Sequence, residues 1–364
     1  MKKKCLYGLA LALFLTGCNV PSRVTLDSTG GRTDYNVAIQ QTNSSEMLLN
    51  LVRLRYYDAP FFLEVSNVTT QFTYATKAFP TLPIPGFNHS NPFSLGGEWS
   101  WQDQPTIQYA PLEGKEFAQQ LLQPIELVTM QQLIHSGWDI DRLFRLVISS
   151  FDNLPNSPLE SSPLPISDPE FKSFYVAIGL MRKLQLKGRL QVGVTIHKSP
   201  DDPDGKYEVL QIAFPKDLPE AHELSKILVM EEKEEKYIIN LFQGYNKKGK
   251  IGVLTRSLLS CLYYLCQGVE VPSNDVEMGK VAMPEGSDED LLNWQKWISQ
   301  LFCIKCSLTP PQSAYIMVKY RNHWFYIEDN DLTTKRTFAL LLQLYNLQSA
   351  EQQRTTPILS LPLG

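Results

Sequence analysis

The chain has 364 residues, of which 43% are hydrophobic, so it can bury a sizeable core in one large domain or two ordinary ones. Its 34 basic and 38 acidic side chains give a formal net charge of −4 at pH 7, and the lysines and arginines are dispersed along the chain. This pattern excludes the strongly basic surface that binding to nucleic acid or to anionic lipid headgroups would require.

The first eighteen residues predict a cleaved and lipidated N-terminus. Three lysines precede an apolar run from Leu6 to Leu15, which is too short to span a bilayer but suits a secretory signal over residues 1–17. The run ends in Leu-Thr-Gly-Cys, and this tetrapeptide resembles the lipobox of bacterial lipoproteins. The resemblance implies that Cys18 is acylated and becomes the mature N-terminus.

An acylated Cys18 would anchor the protein firmly, because two or three acyl chains bind a membrane far more tightly than one. Asn19 implies the outer membrane by the same resemblance, since an Asp there would favour retention in the inner membrane. Removal of residues 1–17 takes away three lysines and no acidic residue, which changes the formal net charge from −4 to −7. Residues 18–33 are polar and turn-rich and predict a flexible tether to a body in the periplasm.

Residues 34–154 form the first predicted region of the body. A helix is predicted from Tyr35 to Tyr57, followed by a strand over 61–75. The apolar residues of that strand change face near Asn67, which predicts either a bulge or a strand buried on both sides. The later elements are two short strands (Gly97–Gln102, with Trp99 and Trp101 on one face, and Thr106–Ala110), two helices broken at Pro124, and a third helix that runs from an N-cap at Asp139 to Phe151.

Residues 155–167 contain four prolines and four serines, which predict a domain boundary or a long surface connection. The second region, residues 168–364, predicts a helix, two hairpins, a strand, a buried helix over 257–268 and a helix near the C-terminus, with Arg321-Asn322 as the turn of the second hairpin. Helices and hairpins without regular βαβ units predict an α+β fold, in which the two regions form two domains or pack as one unit.

Four cysteines beyond Cys18 are candidates for a metal site, a redox pair, a disulfide or buried thiols. They are Cys261, Cys266, Cys303 and Cys306. Residues five apart lie about 140° apart around a helix, so the first two would not converge on a metal ion. In a strand, residues three apart point to opposite faces, which separates the other two. We expect buried thiols or one structural disulfide, and neither zinc nor redox chemistry.

The sequence contains none of the motifs that are typical of serine hydrolases or zinc peptidases. His135 lies at a predicted helix end, where an imidazole can bind the last carbonyl groups. Glu328, Asp329 and Asp331 precede a helix, and Asp331 or Thr333 as its N-cap explains them better than a calcium loop does. We expect no catalytic residue, no cofactor and no metal ligand.

Three segments of the body resemble a family of bacterial lipoproteins of uncharacterised function, namely residues 50–74, 255–272 and 320–348. The resemblance implies a lipid-anchored envelope protein and supplies no catalytic residue. The predicted anchor and the lack of a recognisable active site in the sequence favour a non-enzymatic adaptor or assembly factor at the outer membrane that binds another envelope protein. Two alternatives are a carrier or chaperone for a lipid or other apolar ligand, which needs an apolar pocket lined by the sheet, and a periplasmic hydrolase that acts on envelope material.

Overall fold

The computed structural model describes residues 32–80, 95–152, 154–156, 170–198, 206–228, 230–243, 250–282 and 297–349. Helices and mainly antiparallel strands are interspersed along these residues, and the predicted α+β fold is confirmed. The helices are α1 (Arg32–Arg55), α2 (Lys115–Leu122), α3 (Leu127–His135), α4 (Ile140–Val147), α5 (Glu170–Leu186), α6 (Pro219–Ile227), α7 (Leu258–Cys266), α8 (Ser273–Glu277) and α9 (Leu332–Ser349). The strands are β1 (Leu63–Pro80), β2 (Leu95–Pro111), β3 (Ile148–Phe151), β4 (Leu154–Pro155), β5 (Gln191–Lys198), β6 (Lys206–Pro215), β7 (Glu231–Glu232), β8 (Lys236–Gln243), β9 (Ile251–Thr255), β10 (Lys305–Ser307), β11 (Ala314–Tyr320) and β12 (His323–Glu328).

The main sheet has the strand order β4-β3-β9-β8-β6-β5, and the short strand β7 pairs beside β8. Its neighbours are antiparallel except β8 and β9, which run parallel. β3 precedes the predicted connection over 155–167 and β4 ends at its first residue, whereas the other strands of this sheet follow it, so the two predicted regions share one sheet. Residues 157–169, which make up most of that connection, lie outside the described residues.

A second, three-stranded sheet has the order β10-β12-β11 and contains the predicted hairpin near the C-terminus. Arg321 and Asn322 both have positive φ, 44° and 66°, as the predicted two-residue turn requires. The predicted buried helix is α7, and the Ser257 side chain caps it by accepting a hydrogen bond from the N–H of Ser260. α1 packs against both α7 and β11, so this helix joins the small sheet to the body.

β1 and β2 form a separate antiparallel pair of strands, which we call the ribbon. The ribbon joins the body at Leu63 and Pro111, and its two strands contact chiefly each other. β2 is one continuous strand, so the prediction of two short strands was wrong. Pro105 lies between the two predicted strands, but β2 is an outer strand, where a residue without an N–H can be accommodated while it stays paired with Thr70.

The predicted helices of the body are present, with a different end for one of them, and two short helices, α6 and α8, were not predicted. α2 and α3 lie on either side of Pro124, and Gly137, at φ 96°, follows the end of α3. α4 begins after Asp139 but ends at Val147, and Phe151 lies in β3, where it is 1% exposed. The helical spacing misplaced Phe151 because a strand that follows the helix delivers it to the same core.

Asp139 occupies the predicted N-cap position of α4 but does not cap the helix with its side chain. Its carboxylate forms salt bridges with Arg142, Arg182 and Arg336. The side-chain oxygen of Gln185, on α5, instead accepts the hydrogen bond of the Ile140 N–H at 3.0 Å. A neighbouring helix therefore caps α4. Among the described helices, none is both long enough and apolar enough to cross a bilayer.

Candidate binding site: a groove that continues into the ribbon

A groove of about 590 Å³ lies where the ribbon joins the body. One wall is the N-terminal half of α1, another is α9, and the first residues of β1 close the base. Its apolar lining includes Phe62, Leu63 and Val65, and amide side chains line much of the rest: Asn36, Gln40, Asn43, Gln343 and Asn346. The groove lies apart from the main sheet. It is therefore not the pocket lined by the sheet that the carrier hypothesis requires.

Aromatic packing holds the base of the groove rigid. The ring of Phe62, which is 3% exposed, stacks on Tyr345 of α9 with the ring centres 5.4 Å apart. It also meets Phe117 of α2 edge to face at 5.8 Å. Three elements that are distant in sequence thus meet at one ring, and such aromatic pairs favour a fixed arrangement over a mobile one.

Polar side chains of α1 fix the start of the ribbon. The buried Asn50 donates its amide to the carbonyl of Phe61 at 2.8 Å and accepts the N–H of Phe61 at 3.0 Å. Glu46 accepts the N–H of Leu63 at 2.6 Å, and burial raises the pKa of this carboxyl although that hydrogen bond and Arg53 oppose the shift. α1 thus acts as a partner for backbone groups at the point where β1 begins.

The register of the ribbon separates apolar from polar residues. Directly paired residues share a face of a sheet. One face, which we call the apolar face, carries the pairs Leu63–Pro111, Val65–Tyr109, Val68–Ile107, Thr70–Pro105, Phe72–Asp103, Tyr74–Trp101, Thr76–Trp99, Ala78–Gly97 and Pro80–Leu95. Beyond the bulge the other face carries mainly amides, hydroxyls and one pair of opposite charges, in the pairs Asn67–Gln108, Thr69–Thr106, Gln71–Gln104, Thr73–Gln102, Ala75–Ser100 and Lys77–Glu98, and it ends with the pair Phe79–Gly96.

A bulge makes the apolar face continuous. The register shifts between Val65 and Asn67, so Ser66 has no partner on β2. Without this extra residue, Val65 and Val68 would lie on opposite faces, because successive residues of a strand alternate. The predicted change of face near Asn67 is therefore explained by a bulge, the first of the two alternatives that the sequence offered. The face to which Leu63 and Val65 belong at the groove therefore continues along the ribbon, with Asp103 as its one charged residue.

The four described cysteines form no disulfide with one another, and they lie at two places. Cys261 and Cys266 of α7 are buried, as expected, and burial raises the pKa of Cys266 to about 12. Cys303 and Cys306 are half-buried around Glu270, whose carboxylate also binds Lys305 at 2.7 Å. Burial, and then the charge of Glu270, raise the pKa of both thiols to about 11. Raised pKa values keep these thiols protonated and weakly nucleophilic near pH 7.

The other residues that were considered as functional candidates form hydrogen bonds within the fold. His135 lies 3.0 Å from the carbonyl oxygen of Val192 on β5, so it contacts a neighbouring strand and not the carbonyls of its own helix. Asp331 is the N-cap of α9, as predicted, and accepts hydrogen bonds from the N–H and hydroxyl of Thr334. In the described part of the chain, no cluster of three or more His, Cys, Asp or Glu side chains could hold a metal ion. Cys18 lies outside the described residues.

The groove and the ribbon together form a candidate binding site that was not predicted from the sequence. The apolar alternation of each strand was visible, but only the register places Tyr74 and Trp101 on one face. Comparison of the chain with protein-family models, curated proteins and solved structures gives no match. Membership of a lipoprotein family therefore stays a prediction.

Proposed function

We propose that this protein is a lipid-anchored adaptor or assembly factor of the bacterial outer membrane, which faces the periplasm and binds another envelope protein. The observation that carries the proposal is the mainly apolar face that leads from the groove along the ribbon. A two-stranded ribbon is marginally stable in water unless its apolar face is covered. A binding partner provides that cover.

The chemistry of the groove favours a polypeptide over a lipid as the ligand. Apolar side chains such as Phe62 and Leu63 lie beside amide side chains such as Gln40 and Asn43, which can donate and accept hydrogen bonds. A peptide offers both apolar side chains and backbone groups that such amides can satisfy. An acyl chain would leave the amides without partners, and buried polar groups without partners are costly.

The predicted anchor supplies the location. An acylated Cys18 followed by a short tether would keep the body close to the membrane surface, where other envelope proteins are concentrated. No reaction is required by this function. The adaptor needs only the anchor, the groove and the ribbon.

The test of binding is a site-specific photo-crosslink from the groove in intact cells. A photoreactive residue replaces Gln40 on the groove wall, and the matched control replaces Glu223, an exposed residue of α6 on the body. We expect a defined envelope-protein adduct from position 40 and none from position 223. The same adducts from both positions, or no adduct from position 40, would contradict the proposal.

A second variant tests the location separately. Cys18→Ser should release the protein from the membrane fraction while leaving its fold intact by circular dichroism. Retention of this variant in the membrane fraction would refute the anchor without touching the adaptor role. A lost crosslink in Cys18→Ser together with an unchanged fold would show that binding depends on location.

A further inference from the structure

The outer edge of β1 is a long strand edge, and within the described residues β1 pairs with β2 alone. Such an edge presents a row of N–H and C=O groups that can pair with another strand. Proteins commonly protect an edge with charged residues, prolines or a short strand. From residue 65 to residue 76, β1 contains no charged residue and no proline. β2, by contrast, contains Asp103 and Pro105.

We propose that the outer edge of β1 pairs with β1 of a second copy of this chain. The two strands run antiparallel, and a two-fold axis passes between the two Gln71 residues. The partner must place apolar residues opposite apolar residues, because residues paired across strands share a face. Centred on Gln71, the register sets Val68 opposite Tyr74 of the second copy and Thr70 opposite its Phe72. Thr69 then lies opposite Thr73 on the polar face.

The charged residues at the ends of β1 fit this register. If Ser66 stays out of the pairing, as it does against β2, the step beyond Asn67 brings Glu64 opposite Lys77 of the second copy. The two-fold axis repeats the contact, so two pairs of opposite charges bracket an uncharged centre. Any other register that preserves the two faces moves these charges apart. Charge complementarity therefore selects a copy of this strand as the partner and fixes its position.

The resulting assembly is a four-stranded antiparallel sheet. Its two apolar faces join into one broad face, and β1 becomes an inner strand whose backbone groups are paired on both sides. A sheet of three or more strands with an apolar face is the size at which such structures become independently stable. This pairing uses the edge of β1, whereas the proposed adaptor function uses the groove and apolar face, so either can hold without the other.

Disulfide crosslinking of the full-length chain tests the axis. In the proposed dimer the two Gln71 residues are direct partners, with Cα atoms about 5 Å apart, which a disulfide can bridge. Gln104 is the partner of Gln71 within the ribbon and shares its face, but the two copies of Gln104 would be separated by about 15 Å. Gln104→Cys is therefore the matched control for Gln71→Cys.

We expect oxidation of the purified Gln71→Cys protein to give a dimer on non-reducing gels at several times the level of Gln104→Cys and of the unmodified chain. Copper–phenanthroline serves as the oxidant that accepts the two electrons of each disulfide. Equal dimer formation in the three proteins would overturn the proposal. Oxidation in envelope extracts that joins Gln71→Cys to a different protein in place of a second copy would also overturn it.

Charge reversal tests the register. Glu64→Lys alone and Lys77→Glu alone should each lower the crosslinked dimer fraction of Gln71→Cys about threefold or more, and the double reversal should restore most of it. Lys77 is also paired with Glu98 within the ribbon, so circular dichroism checks that each variant keeps its strands. A double variant as weak as the single variants, with its strands intact, would refute the Glu64–Lys77 contact.

Discussion

The body and the ribbon are stabilised in opposite ways. In the body, the side chain of Arg256 is 2% exposed, and its Nη1 donates hydrogen bonds to the carbonyls of Arg145, Leu146 and Ile148 at 2.9, 3.0 and 2.9 Å. The guanidinium also lies 4.2 Å from the ring centre of Tyr264. In the ribbon, each strand contacts chiefly its one neighbour, and the links to the body lie at its base. Contacts between residues distant in sequence stabilise the body, whereas the ribbon is stabilised chiefly by the pairing of its two strands.

This difference separates stability from recognition. The end of α4 would leave carbonyl groups buried and unpaired if Arg256 and Asn156 did not reach it from other segments. Each contact of this kind binds two parts of the chain to one folding unit. We expect the ribbon to add little to that unit, because its two strands contact chiefly each other. A segment with few contacts to its own body is the part of a protein that is available to a partner.

The largest expected effect is the loss of the Arg256 side chain. Arg256→Leu leaves three buried carbonyls without this donor, and we expect the free energy of unfolding in urea to fall by about 3 kcal/mol. Arg256→Lys keeps a cation but loses the planar guanidinium, so its cost should be smaller. The control is Arg189→Leu, an exposed arginine whose pair with Asp217 is also exposed, with an expected change within about 0.5 kcal/mol. Equal effects at positions 256 and 189 would contradict the comparison.

The next largest effect on stability is expected from a glycine-to-alanine substitution, which should have opposite signs at two glycines of the body. A Cβ added at Gly268 would lie 2.4 Å from the carbonyl oxygen of Phe302, so Gly268→Ala should destabilise the protein by about 2 kcal/mol. A Cβ added at Gly179, inside α5, has no atom within 4 Å, and Gly179→Ala should stabilise by about 0.5 kcal/mol or more. Urea unfolding measures both values. The same sign at both sites would show that packing at Gly268 is looser than this geometry.

The sequence predicted those features that depend only on a few neighbouring residues. The turn at Arg321-Asn322, the N-cap Asp331 and the break at Pro124 each follow from one or two residues and their neighbours in sequence. The partner of Asp139 was not predictable in this way. Three arginines from different helices compete for that carboxylate, while Gln185 takes over the cap. The role of Arg256 depends likewise on residues more than 100 positions away.

The ribbon shows the same limit for the candidate site. The change of apolar face near Asn67 predicted a bulge as one of two alternatives, because alternation is a property of a single strand. The register between β1 and β2 is a property of two strands separated by residues 81–94, and composition does not fix it. Without the register, Phe72, Tyr74, Trp99 and Trp101 are four aromatic residues in two strands. With it, they are neighbours on one face.

The charge of Glu46, at the junction of body and ribbon, should affect the free energy of unfolding. Glu46→Ala removes the acceptor of the Leu63 N–H and should cost about 1 kcal/mol in urea unfolding. Glu46→Gln keeps an acceptor oxygen without the charge. Because burial raises the pKa of Glu46 in the folded state, folding of the native chain weakens as pH rises through and above the ordinary value of 4.5. The Gln variant should therefore be the more stable protein at pH 7 and lose this advantage below pH 4.5. A Gln variant that is less stable at pH 7 would show that the charge strengthens the junction.

The smallest expected change in stability tests the comparison most directly. Val68 and Ile107 are a directly paired couple, so an Asn-Gly turn can join them in place of residues 69–106 and shorten the ribbon to its base. Since the removed strands contact chiefly each other, the free energy of unfolding of the body should change by no more than about 0.5 kcal/mol. Circular dichroism during urea unfolding measures this, because the signal of the body's helices is retained. A loss of several times that value would mean that the apolar face packs on the body, and the ribbon would then be part of the fold rather than a surface offered to a partner.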